Sequence, residues 1–586
     1  MRISLTGLST IFAQRFEKGI SLGVMLDSVR DPYQIGILGG VTAAASEAGV
    51  SLLCFVGGSL PTDLGDGVHH RIFDLIDPRN VDGVVVLTAT LMHRVGHSAV
   101  EAFCKARLQA IPSCSVGVTM TGIPSVVSDG ARGMSEVVSH LVREHGHRRI
   151  AFVRGPLGNV EAEDRYVSYV RSLESHGLVF DARLVAVGDF LVPSGGEAVQ
   201  QFARIPGTSL ANLDAIVASN DGMAMGVIQA LEERGITVPG MVAVTGFDDI
   251  DDARVAPSPL TTVRQPLDMM GRQAARSVLQ FIQIGAPPDS VEVSTELVVR
   301  RSCGCPATWI KIKPSLAPDV NHGFDAALLV RRQHILETLT RTARGGLGVA
   351  GADWNQRMLN AFVSEMRGEN PGAFGAFVDD LARGLTARNE DTQICHDVIH
   401  ALRGQMLVAL RGDAARRDKA EEIFYATHLA ITEVQHRTMS RETIRLERWG
   451  RDVGAACNSL ACAFDADELR KRLRQHLPAI GLRNFFVVVY AADRGPASAR
   501  LFGASDNGGE IPPAAAGDFD GSTLLPEPFG RALRDGRALA VLPLTHRTMI
   551  LGHVLVEIDL ANVLCLETVA AAIASGVYGS RLAAGR

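Results

Sequence analysis

Five polar clusters in the first half of the chain hold the residues whose types could do chemistry. Asp31-Pro32-Tyr33-Gln34 comes first, followed by the stretch from Gly155 through Asn159 and Glu161 to Arg165. Gly188-Asp189-Phe190, Asn220-Asp221 and Gly246-Phe247-Asp248-Asp249 complete the set. Each follows a short apolar run that reads as a strand, and open α/β sheets bind ligands at the carboxyl ends of their strands. The clusters supply a guanidinium that donates in a fork, carboxylates that accept from hydroxyls, and aromatic faces for stacking. Those groups suit reversible capture of a sugar or nucleoside. No GxSxG elbow and no HExxH pair occurs, so catalysis has no candidate residues and the chain does not read as an enzyme.

Other patterns attract attention for weaker reasons. The run Gly346-Leu347-Gly348-Val349-Ala350-Gly351 has dinucleotide-loop spacing, but a helical pattern precedes it, so an interhelical turn is expected. His140, His145 and His147 fall around a predicted helix end, where an imidazolium suits the helix dipole. Cys303-Gly-Cys305 has neither a second cysteine pair nor a sequence-neighbouring histidine, and reads as a strand end followed by a linker. The nine cysteines are otherwise dispersed, as in a reduced protein. Neither a metal nor a cofactor is expected.

The elements that must position the polar clusters alternate in type. Strands are expected at Ser21–Leu26, Ser51–Phe55, Gly83–Thr88, Arg149–Arg154, Asp214–Ser219 and Met241–Thr245. Helices are expected between them, at Ile35–Gly49, Met134–His145, Asp164–His176, Gly222–Gly235 and Leu267–Ile284. Such βα alternation implies doubly wound parallel sheets, and residues 19–305 suffice for two lobes with a cleft between them. Residues 306–450 read as almost wholly helical, ending in a long charged helix, Ala414–Arg448, of signalling or bundle type. From 451 onward α and β mix: helix Ala463–Leu477, strand Phe485–Tyr490, a Gly/Pro/Asp-rich loop to about Phe529, strands Ala538–Pro543 and Met549–Ile558, and helix Ala561–Ala583.

Composition narrows the function classes. The 586 residues are too many for one core, and the 46% hydrophobic and 21% charged content is that of a globular protein. A net charge of −6 argues against a chain that coats nucleic acid. The opening MRISLTGLSTIFAQRFEKG lacks the apolar core of a secretory signal, and no window approaches the ~18 apolar residues of a membrane helix, so a cytoplasmic protein without membrane contact is expected.

Two longer stretches resemble a known family. SHLVREHGHRRIAFVRGPLGNVEAEDRYVSYVRSL is similar to the core signature of LacI/GalR-type effector domains, whose fold is that of two-lobed periplasmic binding proteins (type I). DAIVASNDGMAMGVIQALEERGITVPGMVAVTGFDDIDDARVAPSPLTTVRQPLDMMGRQAA resembles the blocks that follow. The resemblance covers about half of the chain and implies roles for eight residues. Tyr33 sits where the family stacks an aromatic ring on the ligand, and Phe190 matches a second aromatic wall. Arg165 takes the place of the arginine that holds ligand hydroxyls or a carboxylate. Asn159 and Glu161 fall at variable positions that tune effector choice. Asn220 and Asp248 match polar groups at other strand ends, and Gln265 lies at the crossover back to the first lobe.

The family's repressors begin with a helix-turn-helix of roughly 50–60 residues, whereas 19 residues precede Ile20 here, which puts operator binding by that route in doubt. At the other end, CNSLACAFDADELRKRLRQHLPAIGLRNFFVVVY and LGHVLVEID resemble parts of GAF-type domains. The resulting expectation is a ligand-sensing regulator. A sugar- or nucleoside-like effector closes the lobes of a homodimer and signals through the helices and the GAF-like module to a partner protein. The alternative is a LacI/GalR-type DNA-binding regulator that contacts DNA through another element.

Overall fold

The computed structural model describes residues 19–60, 68–206, 209–305, 324–343, 347, 351–388, 392–410, 412–491, 495–506, 509–511, 517–527, 529–559 and 562–585. The opening residues 1–18 and most of the Gly346–Gly351 run lie outside them. The chain divides into two compact units, one of residues 1–305 with 452–586 and the other of residues 306–451.

In the first unit, β1 (Ser21–Leu26), β2 (Ser51–Val56), β3 (Gly83–Val86), β4 (Ser113–Val116) and β5 (Ser125–Ser128) build the parallel sheet of one lobe. The second lobe holds β6 (Ile150–Arg154), β7 (Val185–Val187), β8 (Ala215–Ala218) and β9 (Ala243–Thr245), parallel in the order β7-β6-β8-β9. Strand β10 (Thr262–Arg264) and helix Leu267–Ile284 lead back to the first lobe, where β11 (Val291–Val293) pairs with β5. Then β12 (Glu296–Val298) returns antiparallel to β10. Strands β1, β2 and β3 are buried along their whole length, which is why they read as continuous apolar runs. Small residues let the covering helices approach closely. A Cβ on Gly40 of helix Pro32–Glu47 would lie 2.0 Å from Asp268 O, and one on Gly271 2.0 Å from Ile37 O, so these two helices meet backbone to backbone.

Residues 452–586 extend the first lobe's sheet. They contribute β13 (Phe485–Ala491), β14 (Gly495–Asp506), β15 (Gly509–Ile511), β16 (Ala538–His546) and β17 (Met549–Glu557). Strand β16 lies parallel to β2, with Leu52 opposite Ala538 and Phe55 opposite Val541. Among the described residues this makes an eleven-stranded sheet, β11-β5-β4-β3-β1-β2-β16-β17-β13-β14-β15. One apolar cluster runs through the seam, joining Leu53 and Phe55 to Phe486, Val488, Leu539, Val541 and Leu555. Polar groups close it: Asp82 accepts from Ser21 N at 3.0 Å and from Arg534 Nη1 at 2.8 Å, and Ser21 Oγ donates to Leu533 O at 2.6 Å.

The expected loop up to Phe529 is corrected in part, because it contains β14 and β15. Strand β14 pairs antiparallel with β13, and Gly495 and Pro496 of the loop-like pattern sit at its first two positions. One described helix, in the segment Val563–Ala583, is long and apolar enough to cross a membrane, but its apolar window is 67% buried against protein, including β16 and β17.

The second unit is helical throughout its described residues, with helices Phe324–Ala343, Trp354–Arg367, Ala373–Ala387 and Gln393–Ala409 and the first part of Ala414–Ala461. Its core centres on three rings: Phe362 stacks on Phe424 at 4.8 Å, and Phe374 meets both edge-on. Helix Gln393–Ala409 falls within the stretch expected to be almost wholly helical.

Candidate functional site

A cavity of about 400 Å³ lies between the two lobes, at the carboxyl ends of β1, β6, β8 and β9. Tyr33, Glu161, Arg165, Phe190, Asn220 and Asp248 all line it. Arg165 rides on helix Val160–Ser175, which starts at Asn159 because that side chain accepts from Ala162 N and caps the free N–H groups. The Arg165 guanidinium is buried, donates to Ser219 O at 2.8 Å and lies 3.9 Å over the Phe247 ring. Its nearest carboxylate is Glu161, one helical turn back at 3.7 Å. Arg165 Nε and Tyr33 Oη are buried without a hydrogen-bond partner among the described residues. Buried polar atoms of this kind are where an incoming ligand finds its bonds.

Asn159 and Gln265 stand behind the wall. Asn159 Nδ2 donates across the lobes to Ala89 O at 3.2 Å, and its other end is spent on the helix cap. Gln265 accepts from Ser128 Oγ and donates to Asp248 Oδ1 at 2.7 Å, so it aims the carboxylate. Neither side chain is among those lining the cavity, and both hold neighbouring groups of the site in place. Asn220 faces the cavity but is engaged locally, capping helix Asp221–Glu232 and donating to Phe190 O at 2.9 Å. That bond helps to hold Phe190 at φ +70°, an unusual conformation for a non-glycine residue, with its ring over Gly155, where a Cβ would lie 2.3 Å away.

The electrostatics are dominated by carboxylates. Burial raises the pKa of Asp27, Asp31 and Glu161, and Arg165 offsets part of the shift at Glu161. Burial pushes Asp248 up to about 7 despite Arg165 and Gln265, with Glu161 and Asp31 adding repulsion. Behind it Asp221 is raised further by burial and by the Asp248 charge, though Thr262 Oγ1 and Ile250 N donate to it. Next to Asp248 in the chain, Asp249 is held by Arg264 and Arg300 at 2.7 and 2.5 Å. The cavity thus presents acceptors in excess of donors and favours a ligand rich in hydroxyl or N–H donors.

A stability prediction follows from Asp248. Its folded pKa lies above that of an unfolded aspartate, so the native state binds the extra proton and loses stability as pH rises toward and through about 7. Asp248→Asn removes this slope. At pH 8 the ligand-free variant is expected to be more stable than the parent by on the order of 2 kcal/mol, with the gain shrinking toward pH 5. Thermal denaturation at both pH values checks it.

Residues 138–303 match the family model for a periplasmic binding protein-like domain. The HTH-type transcriptional regulator CelR of Thermobifida fusca is 32% identical over 275 residues, 46% of this chain and 76% of that protein. The chain belongs to the LacI/GalR family. The HTH-type transcriptional repressor CytR of Escherichia coli (strain K12) is 27% identical over 287 residues, covering 48% of this chain and 78% of that repressor. A solved LacI family transcriptional regulator from Mycobacterium smegmatis superposes with a TM-score of 0.43 at 25% identity, over 48% of this chain and 98% of that one. The LacI/GalR resemblance thus lies in the effector domain, and these relatives are transcriptional regulators.

Within that LacI/GalR effector domain, the cavity lining also includes Asp27, Thr90 and His93, which the sequence did not single out, and Asp31, which it placed in the first polar cluster without a role. Asp27 ends the first strand segment and was open to the same strand-end rule. Asp31 caps helix Pro32–Glu47, accepting from Tyr33 N at 3.0 Å. His93 follows a four-residue helix without a motif, and its ring comes within 5.3 Å of Phe190 only because the lobes face each other.

Proposed function

We propose that the chain is a ligand-sensing regulator whose effector is a small polyhydroxy metabolite, sugar- or nucleoside-like, bound between the two lobes of residues 19–305. The observation that carries this reading is the cavity itself, where Arg165 Nε and Tyr33 Oη await partners among Glu161, Asp248, Asp27 and Asp31. Carboxylates accept ligand hydroxyls, the guanidinium donates back, and Tyr33 and Phe190 offer apolar faces. Binding favours the closed arrangement in proportion to its preference for it.

The cavity loop after β1 is also tied to the C-terminal segment. Glu567 Oε1 accepts from Ser28 Oγ at 2.8 Å and from Val29 N at 2.9 Å, beside the cavity residues Asp27 and Arg30. A ligand that shifts this loop therefore pulls on helix Leu566–Ala583. We read residues 306–450 as the helical signalling region and 451–586 as a GAF-like module, its antiparallel strands and flanking helices supporting that reading, with a homodimer and a partner protein downstream. The HTH-type names of CelR and CytR favour a second reading, direct DNA binding, for which retention of duplex DNA at low salt is the test.

A thermal-shift screen of the full chain against mono- and disaccharides, nucleosides and nucleobases tests the sensor reading. A true effector at a hundred times its dissociation constant adds about 2.7 kcal/mol. Silence across the library, with no heat of binding by calorimetry, would overturn the sugar- or nucleoside-like assignment.

A further inference from the structure

Helix Gly130–His145 ends beside the last described residues of the effector domain, and the two segments bring four metal-binding side chains together. The ligand atoms of His140, His145, Cys303 and Cys305 all lie within 4.8 Å of one another. His140 Nε2 is 3.4 Å from Cys303 Sγ and 3.6 Å from Cys305 Sγ, and His145 Nε2 is 3.4 Å from Cys305 Sγ. Both imidazoles thus present the same nitrogen to the sulfurs. Zn–S bonds of about 2.3 Å and Zn–N bonds of about 2.0–2.1 Å at tetrahedral angles hold sulfur and nitrogen roughly 3.5 Å apart. The three separations match that spacing.

We propose that His140, His145, Cys303 and Cys305 form a four-coordinate zinc site of the Cys2His2 type. Two thiolates with two imidazoles in tetrahedral array select zinc among the common divalent ions. Four protein ligands leave no open position, so the ion is structural. Local geometry is already arranged for it. Gly304 takes φ +98°, turning the chain between the two cysteines, and a Cβ there would sit 3.5 Å from the His145 ring. The carboxyl end of the helix adds a negative potential that favours a cation. The ion would fasten residues 303–305 to a helix of the second lobe, at the point where the chain leaves the effector domain for residues 306–451. Cys303-Gly-Cys305 has no histidine near it in the sequence because His140 and His145 lie 158 or more positions away along the chain, so the strand-end and linker reading could not show the cluster.

The test uses the full chain, purified with reductant, loaded with zinc and dialysed. Elemental analysis is expected to give about one equivalent of tightly held zinc. Substitution by cobalt(II) should produce the visible d–d bands and thiolate charge-transfer absorption of a tetrahedral mixed site. Cys305→Ser and His140→Ala should each weaken metal retention by tenfold or more. Chelation should lower the melting temperature of the parent by several degrees and leave that of the variants unchanged. Should Cys305→Ser fail to fold, His145→Ala at the partly exposed helix end supplies the same readout. The proposal is overturned if the parent binds no zinc above background, if the variants retain it fully, or if mass spectrometry finds Cys303 and Cys305 joined as a disulfide that excludes the metal.

Discussion

Arg165→Ala is expected to cut effector-induced stabilisation to a third or less, with affinity falling about 30-fold to several thousand-fold. That range converts the roughly 2–5 kcal/mol lost when one partner of a buried hydrogen-bonded charge pair is removed on binding. The size follows from the site. Arg165 is the buried cation nearest Glu161, and its charge opposes the raised pKa of both Glu161 and Asp248. Without it the pKa of both carboxylates rises further, so each is more readily protonated and turned from acceptor to donor. The fold should persist, because protonation removes the cost of stranded charge. Arg165→Lys separates charge from geometry: it keeps the cation but loses the fork and the stacking on Phe247, so intermediate binding is expected. Calorimetric titration of the three proteins with one effector reads both effects. An Arg165→Ala protein that binds as the parent does would sink the site assignment, whatever the effector proves to be.

A fragment of residues 19–305 is expected to aggregate or melt far below the full chain. Removing residues 452–586 uncovers β2, an edge of sequence SLLCFV without a charge or proline to discourage pairing. It also strips Phe486, Val488, Leu539, Val541 and Leu555 from the cluster around Leu53 and Phe55. Within the full chain, Phe486→Ala samples the same seam and should cost about 3–5 kcal/mol, as for other buried aromatic truncations. Chemical denaturation of the variant and size-exclusion chromatography of the fragment check the two. A soluble monomeric fragment with a full-chain melting temperature would make residues 452–586 a separable module.

What was legible in the sequence follows from the range of the signals. Strand β1 and helix Leu267–Ile284 were read to the residue, because fully buried strands and amphipathic helices write their periods into adjacent positions. The residues that line the interlobe cavity were legible in part for a related reason. Strand ends carry the polar loops, and six of the eight expected residues meet in one cavity. The individual roles of Asn159 and Gln265 were not, because an amide can face a ligand, cap a helix or aim a carboxylate with no change in sequence pattern.

Tertiary structure alone decided the rest. An all-apolar strand such as β2 declares that both faces are buried but says nothing of its neighbour, so the pairing of Leu52 with Ala538 could not be read from either segment. The same holds for the histidine–cysteine cluster, whose two halves lie near the beginning and the end of the second lobe's chain path. By itself the sequence determined the local elements, the effector-domain family and the strand ends that bear the site. Which distant segments share a sheet, a core or a histidine–cysteine cluster was set by burial and pairing between surfaces that carry no mutual signature along the chain.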